Sequence, residues 1–254
     1  MAKKSVACFT SRGHALPMNL TPGSHDLFLD IFDEAPVLDL DPGEVLIHAG
    51  AKADRVFNIL NGMVMVHRTG SDGRRQILSF LVRNNFVGLT STDDYFFTVE
   101  AVVKTRVAVC SRTALMERLA NDPAVERTYL NMLHRVLEDA YDLVYSLGQR
   151  TAVERLAVFL LYLRYWHRVC ENIVDDQDGR LNQVALPMGR EDIADFLGLK
   201  KETVSRSFRQ LEESELIHRD ERSLVSIRNL AALRELAGIR DFASPRHLSA
   251  DFQS

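Results

Sequence analysis

The sequence predicts an α+β protein in which an antiparallel β domain comes first, a long helix follows, and a smaller helical domain completes the chain. Three observations carry this. From about Val37 to Cys110 short apolar stretches recur at roughly ten-residue spacing between turn residues. From Pro123 onward the apolar residues recur with a helical period. The 254 residues, 46% hydrophobic and 26% charged, suffice for two modest domains and exclude a disordered chain. The longest apolar run, Leu156 to Leu163, is eight residues, against roughly 20 for a membrane-spanning helix.

Residues 1–25, with Cys8, Gly13, Pro17, Pro22 and Gly23 and no sustained period, read as an N-terminal arm. Lys3 and Lys4 precede no apolar block, so no signal peptide is expected and the protein is assigned to the cytoplasm. The odd, scattered cysteines Cys8, Cys110 and Cys170 fit a reducing compartment and no disulfide framework. In the β domain, 26–121, Val45–Ile47, Val56–Leu60, Met63–Val66 and Gln76–Phe80 lie between Asp41-Pro42-Gly43, Asn61-Gly62 and Ser71-Asp72-Gly73. Such short strands mean a sandwich or barrel, and Asn61-Gly62 predicts a type I′ hairpin.

Asp122 and Pro123 then open the helix 122–148, as N-cap and first-turn residue. Tyr129, Leu133, Val136, Ala140, Leu143 and Leu147 recur along it at spacings of 4, 3, 4, 3 and 4, an a/d seam. A helix packed on its own domain is one reading. Three heptads flanked by Arg135, Glu138, Asp139 and Asp142 favour a two-fold pair between subunits, and a homodimer is predicted. Gly148 interrupts the pattern, and Thr151 and Glu154 open a new helix with a capping box, so a hinge is expected there. Leu156, Val158, Phe159, Leu160, Leu163 and Trp166 make that helix the core of the C-terminal domain, 149–236; residues 171–185 read as a polar loop and 237–254 as a tail.

Arg190 to Leu211 is the most informative stretch. Ile193, Ala194 and Leu197 face inward on a short helix, Gly198 breaks it, and Val204, Phe208 and Leu211 line the buried face of a second helix starting near Lys200. Two helices crossing at about 90–120° need a residue without a side chain at the turn and a small one at the contact, which Gly198 and Ala194 supply. The second helix exposes Lys200, Lys201, Arg206 and Arg209 against the single acid Glu202. The whole chain is acidic, 31 basic against 35 acidic side chains for a net charge of −4, so only a local element of this kind can meet a polyanion. Ser223 to Ile227, after Glu213 to Ile217, reads as the short hairpin of a winged helix, with Asp220-Glu221-Arg222 as its turn.

Leu186-Pro187-Met188, Asp192-Ile193-Ala194-Asp195-Phe196-Leu197-Gly198-Leu199 and Glu202-Thr203-Val204-Ser205-Arg206 resemble the signature of the CRP/FNR transcription regulators, specifically the FNR/FixK branch. Val153 to Leu160 resembles that family's upstream core helix, and the resemblance extends over about 30–236. It implies a β-roll of the cyclic-nucleotide-binding type, a double-stranded β-helix, followed by a dimerisation helix and a winged helix-turn-helix. It also implies double-stranded DNA and RNA polymerase as partners, a role as an activator in a low-oxygen or redox-related response, and no membrane. The branch carries Glu-x-x-Ser-Arg on its recognition helix, matched here by Glu202, Ser205 and Arg206. Arg can donate twice to guanine, Glu can accept from cytosine N4, and Ser can contact a neighbouring base. The implied target is a TTGAT-N4-ATCAA palindrome, with Lys200, Lys201, Arg209 and Thr203 on phosphates.

Relatives that hold cyclic AMP carry Arg-Ser near the end of a short helix. Here Asn84 to Thr98 contains neither Arg nor Glu, the matching positions are Tyr95 and Phe96, and no cyclic AMP is expected. A four-iron cluster needs four thiolates, three of them N-terminal, whereas only Cys8 is N-terminal, so no 4Fe-4S cluster is expected. Cys110 reads as a small buried residue. His167 and Cys170, three apart on a helix, lack further ligands nearby and read as a helix-end histidine and a partly buried thiol rather than metal ligands; a redox handle at Cys170 is the alternative. Haem stays open on His14, His25, His48 or His67, each more simply an ordinary histidine; the expected cofactor is none. A different class of function, a ligand- or haem-binding sensor acting through protein contacts, would leave Lys200 to Arg209 without DNA. No Gly-rich phosphate loop, HExxH or GxSxG is present, so no catalytic residue and no enzyme is predicted.

Overall fold

The computed structural model of the protein describes residues 27–239 apart from 172, 174 and 222. The arm at 1–25, with Cys8, His14 and His25, and the tail beyond 239 lie outside the described residues, as does Arg222 of the expected wing turn. The described residues divide into two compact units, with the boundary in the sequence between Met132 and Leu133.

The first unit is built from β1 (Val37–Leu40), β2 (Val45–Ile47), β3 (Arg55–Asn61), β4 (Met63–Thr69), β5 (Arg75–Val82), β6 (Phe86–Val87), β7 (Thr98–Ala101) and β8 (Thr105–Ser111). They form two antiparallel four-stranded sheets, ordered β1-β8-β3-β6 and β2-β7-β4-β5. Period-2 alternation gathers Phe57, Ile59, Val64, Val66, Val99 and Val107 into one buried core. The other face of β3 and β8 places Val56, Ala108 and Cys110 against Phe32 and Leu115. Leu115 belongs to α1 (Arg112–Asn121), which the sequence reading missed. Its start is nonetheless capped, the Ser111 hydroxyl accepting from the Ala114 N–H at 3.1 Å.

Asn61-Gly62 is not a hairpin turn. Asn61 pairs with Arg106 on β8, whereas Met63 pairs with Val82 on β5, so the dipeptide carries the chain from one sheet to the other. Only Gly62 has positive φ, at 96°. A Cβ on it would lie 2.6 Å from both the Lys104 carbonyl oxygen and Thr105 Cα, so close backbone approach requires glycine here together with the positive φ.

Helix α2 (Pro123–Gln149) opens as expected, with Asp122 Oδ1 accepting from the Ala124 and Val125 N–H groups at 3.1 and 3.3 Å. It runs through Gly148 to Gln149, since one glycine costs a helix only about 1 kcal/mol. The Thr151/Glu154 capping box then starts α3 (Ala152–Cys170): the Thr151 N–H donates to Glu154 Oε2 at 2.7 Å and the Glu154 N–H to Thr151 Oγ1 at 3.4 Å. Leu156, Phe159, Leu160, Leu163 and Trp166 of α3 are fully buried. Around them stand α4 (Arg190–Leu197), α5 (Lys201–Glu213), α6 (Leu230–Ala237) and a sheet of β9 (Gln183–Ala185), β10 (Ile217–Glu221) and β11 (Leu224–Ile227), ordered β10-β11-β9. The stretch read as a polar loop thus ends in a 3-10 turn, Gly179–Asn182, and strand β9.

Candidate nucleic-acid interface

Helix α4 ends at Gly198, whose φ of 62° and ψ of 39° is the left-handed cap that returns its N–H to the Ala194 carbonyl. The Leu199 N–H bonds the same carbonyl at 2.9 Å, which closes the turn before α5 begins. Ile193, Ala194 and Leu197 are buried on α4, and Val204, Phe208 and Leu211 on α5. Ser207, which the sequence reading did not name, is buried with them; its position between 204 and 211 on the same helical stripe was the available signal.

The opposite face of α5 carries the anticipated side chains. Lys200, Lys201, Glu202, Arg206 and Arg209 are exposed, and Thr203 and Ser205 are half-buried. Glu202 and Arg206 lie one turn apart on this face, as the base-reading assignment needs. Thr203 accepts from Arg206 Nη2 at 3.2 Å, so the residue expected on phosphate steadies the arginine expected to read a base.

Two arginines outside the assigned set support the helix from behind. Arg190, the first residue of α4, donates from Nη1 to Ser205 Oγ at 3.2 Å and lies 5.9 Å from the centroid of the Phe208 ring. Arg219 on β10 lies 5.2 Å from the same centroid and pairs with Glu212 in the last turn of α5. The hydrogen bond from Arg219 holds the Glu212 carboxyl below its usual range. Along the wing, the Ser226 hydroxyl lies 2.6 Å from Asp220 Oδ2 and 3.2 Å from Gln183 Oε1, joining β11 to both neighbours.

A third arginine ties the helix-turn-helix to the end of α2. Arg155 donates to the carbonyls of Leu147 (2.6 Å), Arg150 (3.0 Å) and Leu197 (2.9 Å). The junction expected to be a hinge is therefore cross-braced, because all three bonds come from one planar cation and reach carbonyls left open at helix ends. Asp176 braces the far side, meeting Arg164 at 2.7 Å, Arg168 at 3.3 Å and Arg234 of α6 at 2.5 Å. Burial pushes its carboxyl up, and the hydrogen bonds from Arg164 and Arg234 more than reverse this, leaving it below the usual range.

On α2 the anticipated seam is split. Leu133, Leu143 and Leu147 are half-buried within their own chain and Tyr129 packs beside the Val56 and Cys110 cluster, while Val136 and Ala140 are open. The most exposed large apolar side chains of α2 are Val136, Leu137, Tyr141, Val144 and Tyr145, from 48% to 68%. The acids beside them respond to their surroundings. Burial, then repulsion from Asp142 and Glu138, raises the Asp139 carboxyl to about 7; burial raises Asp142 to about 6.

In the β-roll, Tyr95 and Phe97 are buried, and the Tyr95 hydroxyl donates to the Arg55 carbonyl at 2.6 Å. Phe96, by contrast, is 51% exposed, with Arg68 5.5 Å from its ring centroid. Arg112 holds the 90–97 loop by donating to the Thr90 and Thr92 carbonyls, both at 3.0 Å. His48 is exposed, His67 is buried with Glu100 3.8 Å away, and neither Cys110 nor Cys170 is in a disulfide. His167 is half-buried, and burial lowers its pKa. Among the described residues no three His, Cys, Asp or Glu side chains group as metal ligands, and no helix is long and apolar enough to cross a membrane.

An antiparallel roll followed by a winged helix-turn-helix with a cationic outer face defines a DNA-binding regulator, and the known proteins agree. Residues 37–122 match the cyclic nucleotide-binding domain model and 154–236 the Crp-like helix-turn-helix domain model. The transcriptional activatory protein AadR of Rhodopseudomonas palustris is 33% identical over 81% of this chain and 82% of its own. The nitrogen fixation regulation protein FixK of Rhizobium meliloti is 34% identical over 72% and 79%. The solved structure of FixK2 from Bradyrhizobium japonicum superposes with a TM-score of 0.70 at 31% identity, covering 80% of this chain and 96% of that one. The chain belongs to the CRP/FNR family of transcription regulators. It is a regulator with a helix-turn-helix DNA-binding domain and not an enzyme.

Proposed function

We propose that the protein is a homodimeric transcription activator that places α5 in two successive major grooves of a TTGAT-N4-ATCAA palindrome, in a low-oxygen or redox-related response. The observation that carries this reading is the α5 face: Glu202 and Arg206 exposed one turn apart, flanked by Lys200, Lys201 and Arg209, on a helix whose other face is fully buried. Arg206 donates to guanine O6 and N7, Glu202 accepts from cytosine N4, and Ser205 meets the neighbouring base; the lysines and Arg209 meet phosphates. The names of the relatives, a transcriptional activatory protein and a nitrogen fixation regulation protein, support an activator; in this reading it acts with RNA polymerase.

Two copies pair through α2, whose open apolar face from Val136 to Tyr145 supports an interface rotated slightly from the a/d seam. The β-roll holds no cyclic nucleotide in this reading. A cyclic phosphate needs an arginine beside the roll, residues 84–98 supply none, and Tyr95 stands buried where the relatives carry theirs. Neither haem nor an iron–sulfur cluster is assigned, and the amount of protein sets activity. Gel shift on the palindrome against a scrambled duplex tests the function: we expect strong preference for the palindrome, and equal affinity for both overturns it.

A further inference from the structure

We propose that Arg190 is a positioning residue that fixes the polarity with which Ser205 reads its base, so that the base pair opposite Ser205 is recognised through an acceptor. The inference rests on the DNA-reading function of α5.

A serine hydroxyl has one hydrogen to give and two lone pairs to receive with, and in isolation it serves a donor or an acceptor on a base equally well. A guanidinium only donates. With Arg190 Nη1 3.2 Å from Ser205 Oγ, one lone pair is occupied from behind by a cation. That cation repels the hydroxyl hydrogen and turns it away, towards the open side of α5, and it weakens the remaining lone pair. Ser205 then presents a donor outward. In the major groove the acceptors it can meet are thymine O4, guanine O6 or N7, and adenine N7; the amino groups of cytosine and adenine are disfavoured.

Arg190 is held for this task. Its guanidinium lies over the buried Phe208 ring, the other cation at that ring, Arg219, is neutralised by Glu212, and among the described residues Arg190 makes no ion pair of its own. Ser205 therefore faces an uncompensated charge. A cavity of about 310 Å³ bordered by Met188, Ile193 and both arginines lies alongside, so shorter or apolar replacements of Arg190 have room.

The test is a double-mutant cycle on the full-length protein with a panel of palindromes in which each half-site position carries each of the four base pairs. Ser205→Ala identifies the position that Ser205 reads. We expect wild type to prefer an acceptor there by roughly fivefold, and Arg190→Met to reduce that preference to under about twofold while the guanine preference of Arg206 stays intact. Combined with Ser205→Ala, Arg190→Met should change the preference no further. Arg190→Lys, which keeps the charge and loses the planar fork, should relax the same position. A uniform loss over all sequences with a salt slope shallower by about 0.9 in Arg190→Met, and none in Arg190→Lys, identifies a phosphate contact and overturns the inference. So does a preference for cytosine opposite Ser205. If wild type discriminates at no position, the DNA-reading function itself fails, and that result is distinct from one in which Arg206 discriminates and Arg190 is silent.

Discussion

Helices α2 and α5 are both amphipathic, and they leave opposite chemistry to solvent. Helix α5 buries Val204, Phe208 and Leu211 inside its own domain and exposes cations with one acid. Helix α2 keeps Leu133, Leu143 and Leu147 half-covered and exposes Val136, Leu137, Tyr141, Val144 and Tyr145. An exposed cation is at ease in water, so α5 is complete as it stands and its ligand must be a polyanion. A row of exposed branched and aromatic side chains is not at ease, and only another apolar surface relieves it. One helix therefore states its partner by charge, the other by what it lacks.

Breaking the apolar side of this contrast should have the largest effect. Leu137→Glu with Val144→Glu puts four carboxylates into a two-fold interface, and we expect dimerisation to weaken by at least about a thousandfold. Sedimentation equilibrium of a folded monomer at micromolar concentration would agree. An unchanged dimer would move the interface off this face. On the polar side, Arg206→Ala should cost about 1–3 kcal/mol on the matched palindrome and almost nothing on a scrambled one. Fluorescence anisotropy with the two duplexes checks it, and equal losses on both would demote Arg206 to a phosphate contact.

The same contrast explains how much could be read from the chain alone. The helix-turn-helix was legible because its determinants are local: Ala194 at the contact, Gly198 at the turn and apolar residues three and four apart, all within about twenty residues. The seam on α2 was legible as a period, but not as a rotation, because which half of an apolar stripe stays open depends on packing that a heptad does not encode. Asn61-Gly62 failed for a related reason. The dipeptide permits a tight turn, yet whether the strands beside it pair is decided by β5 and β8, which lie further along the chain. Arg190 and Arg155 left no signal, since each acts on a residue that only the fold brings near: Ser205 for one, the Leu147, Arg150 and Leu197 carbonyls for the other.

The acids flanking the open face of α2 sharpen the comparison through pH. Asp139 titrates at about 7 in the folded protein, with burial the main cause, whereas an unfolded aspartate titrates near about 4. Its folded carboxyl is raised, so the folded chain holds a proton that the unfolded one has shed across this interval. Stability is then greatest at the acid end of the window and falls as pH rises from about 4 through about 7, by up to about 1.4 kcal/mol per unit. Asp139→Asn should flatten urea midpoints measured between pH 5 and 7.5. A slope that survives the substitution would assign the effect to Asp142, which titrates at about 6.

The smallest expected effect belongs to the residues proposed to meet phosphates and separates them from the proposed base readers on α5. Lys201 is exposed at the start of the helix and pairs with no acid among the described residues, so its charge is available to the DNA backbone. Each phosphate neutralised contributes about 0.9 to the slope of log K against log salt. Lys201→Ala should lower that slope by about this amount, weaken matched and scrambled duplexes alike, and leave the ratio between them unchanged. If the ratio falls instead, Lys201 reads bases, and the division of α5 into an inner trio that specifies and an outer set that holds would have to be redrawn around it.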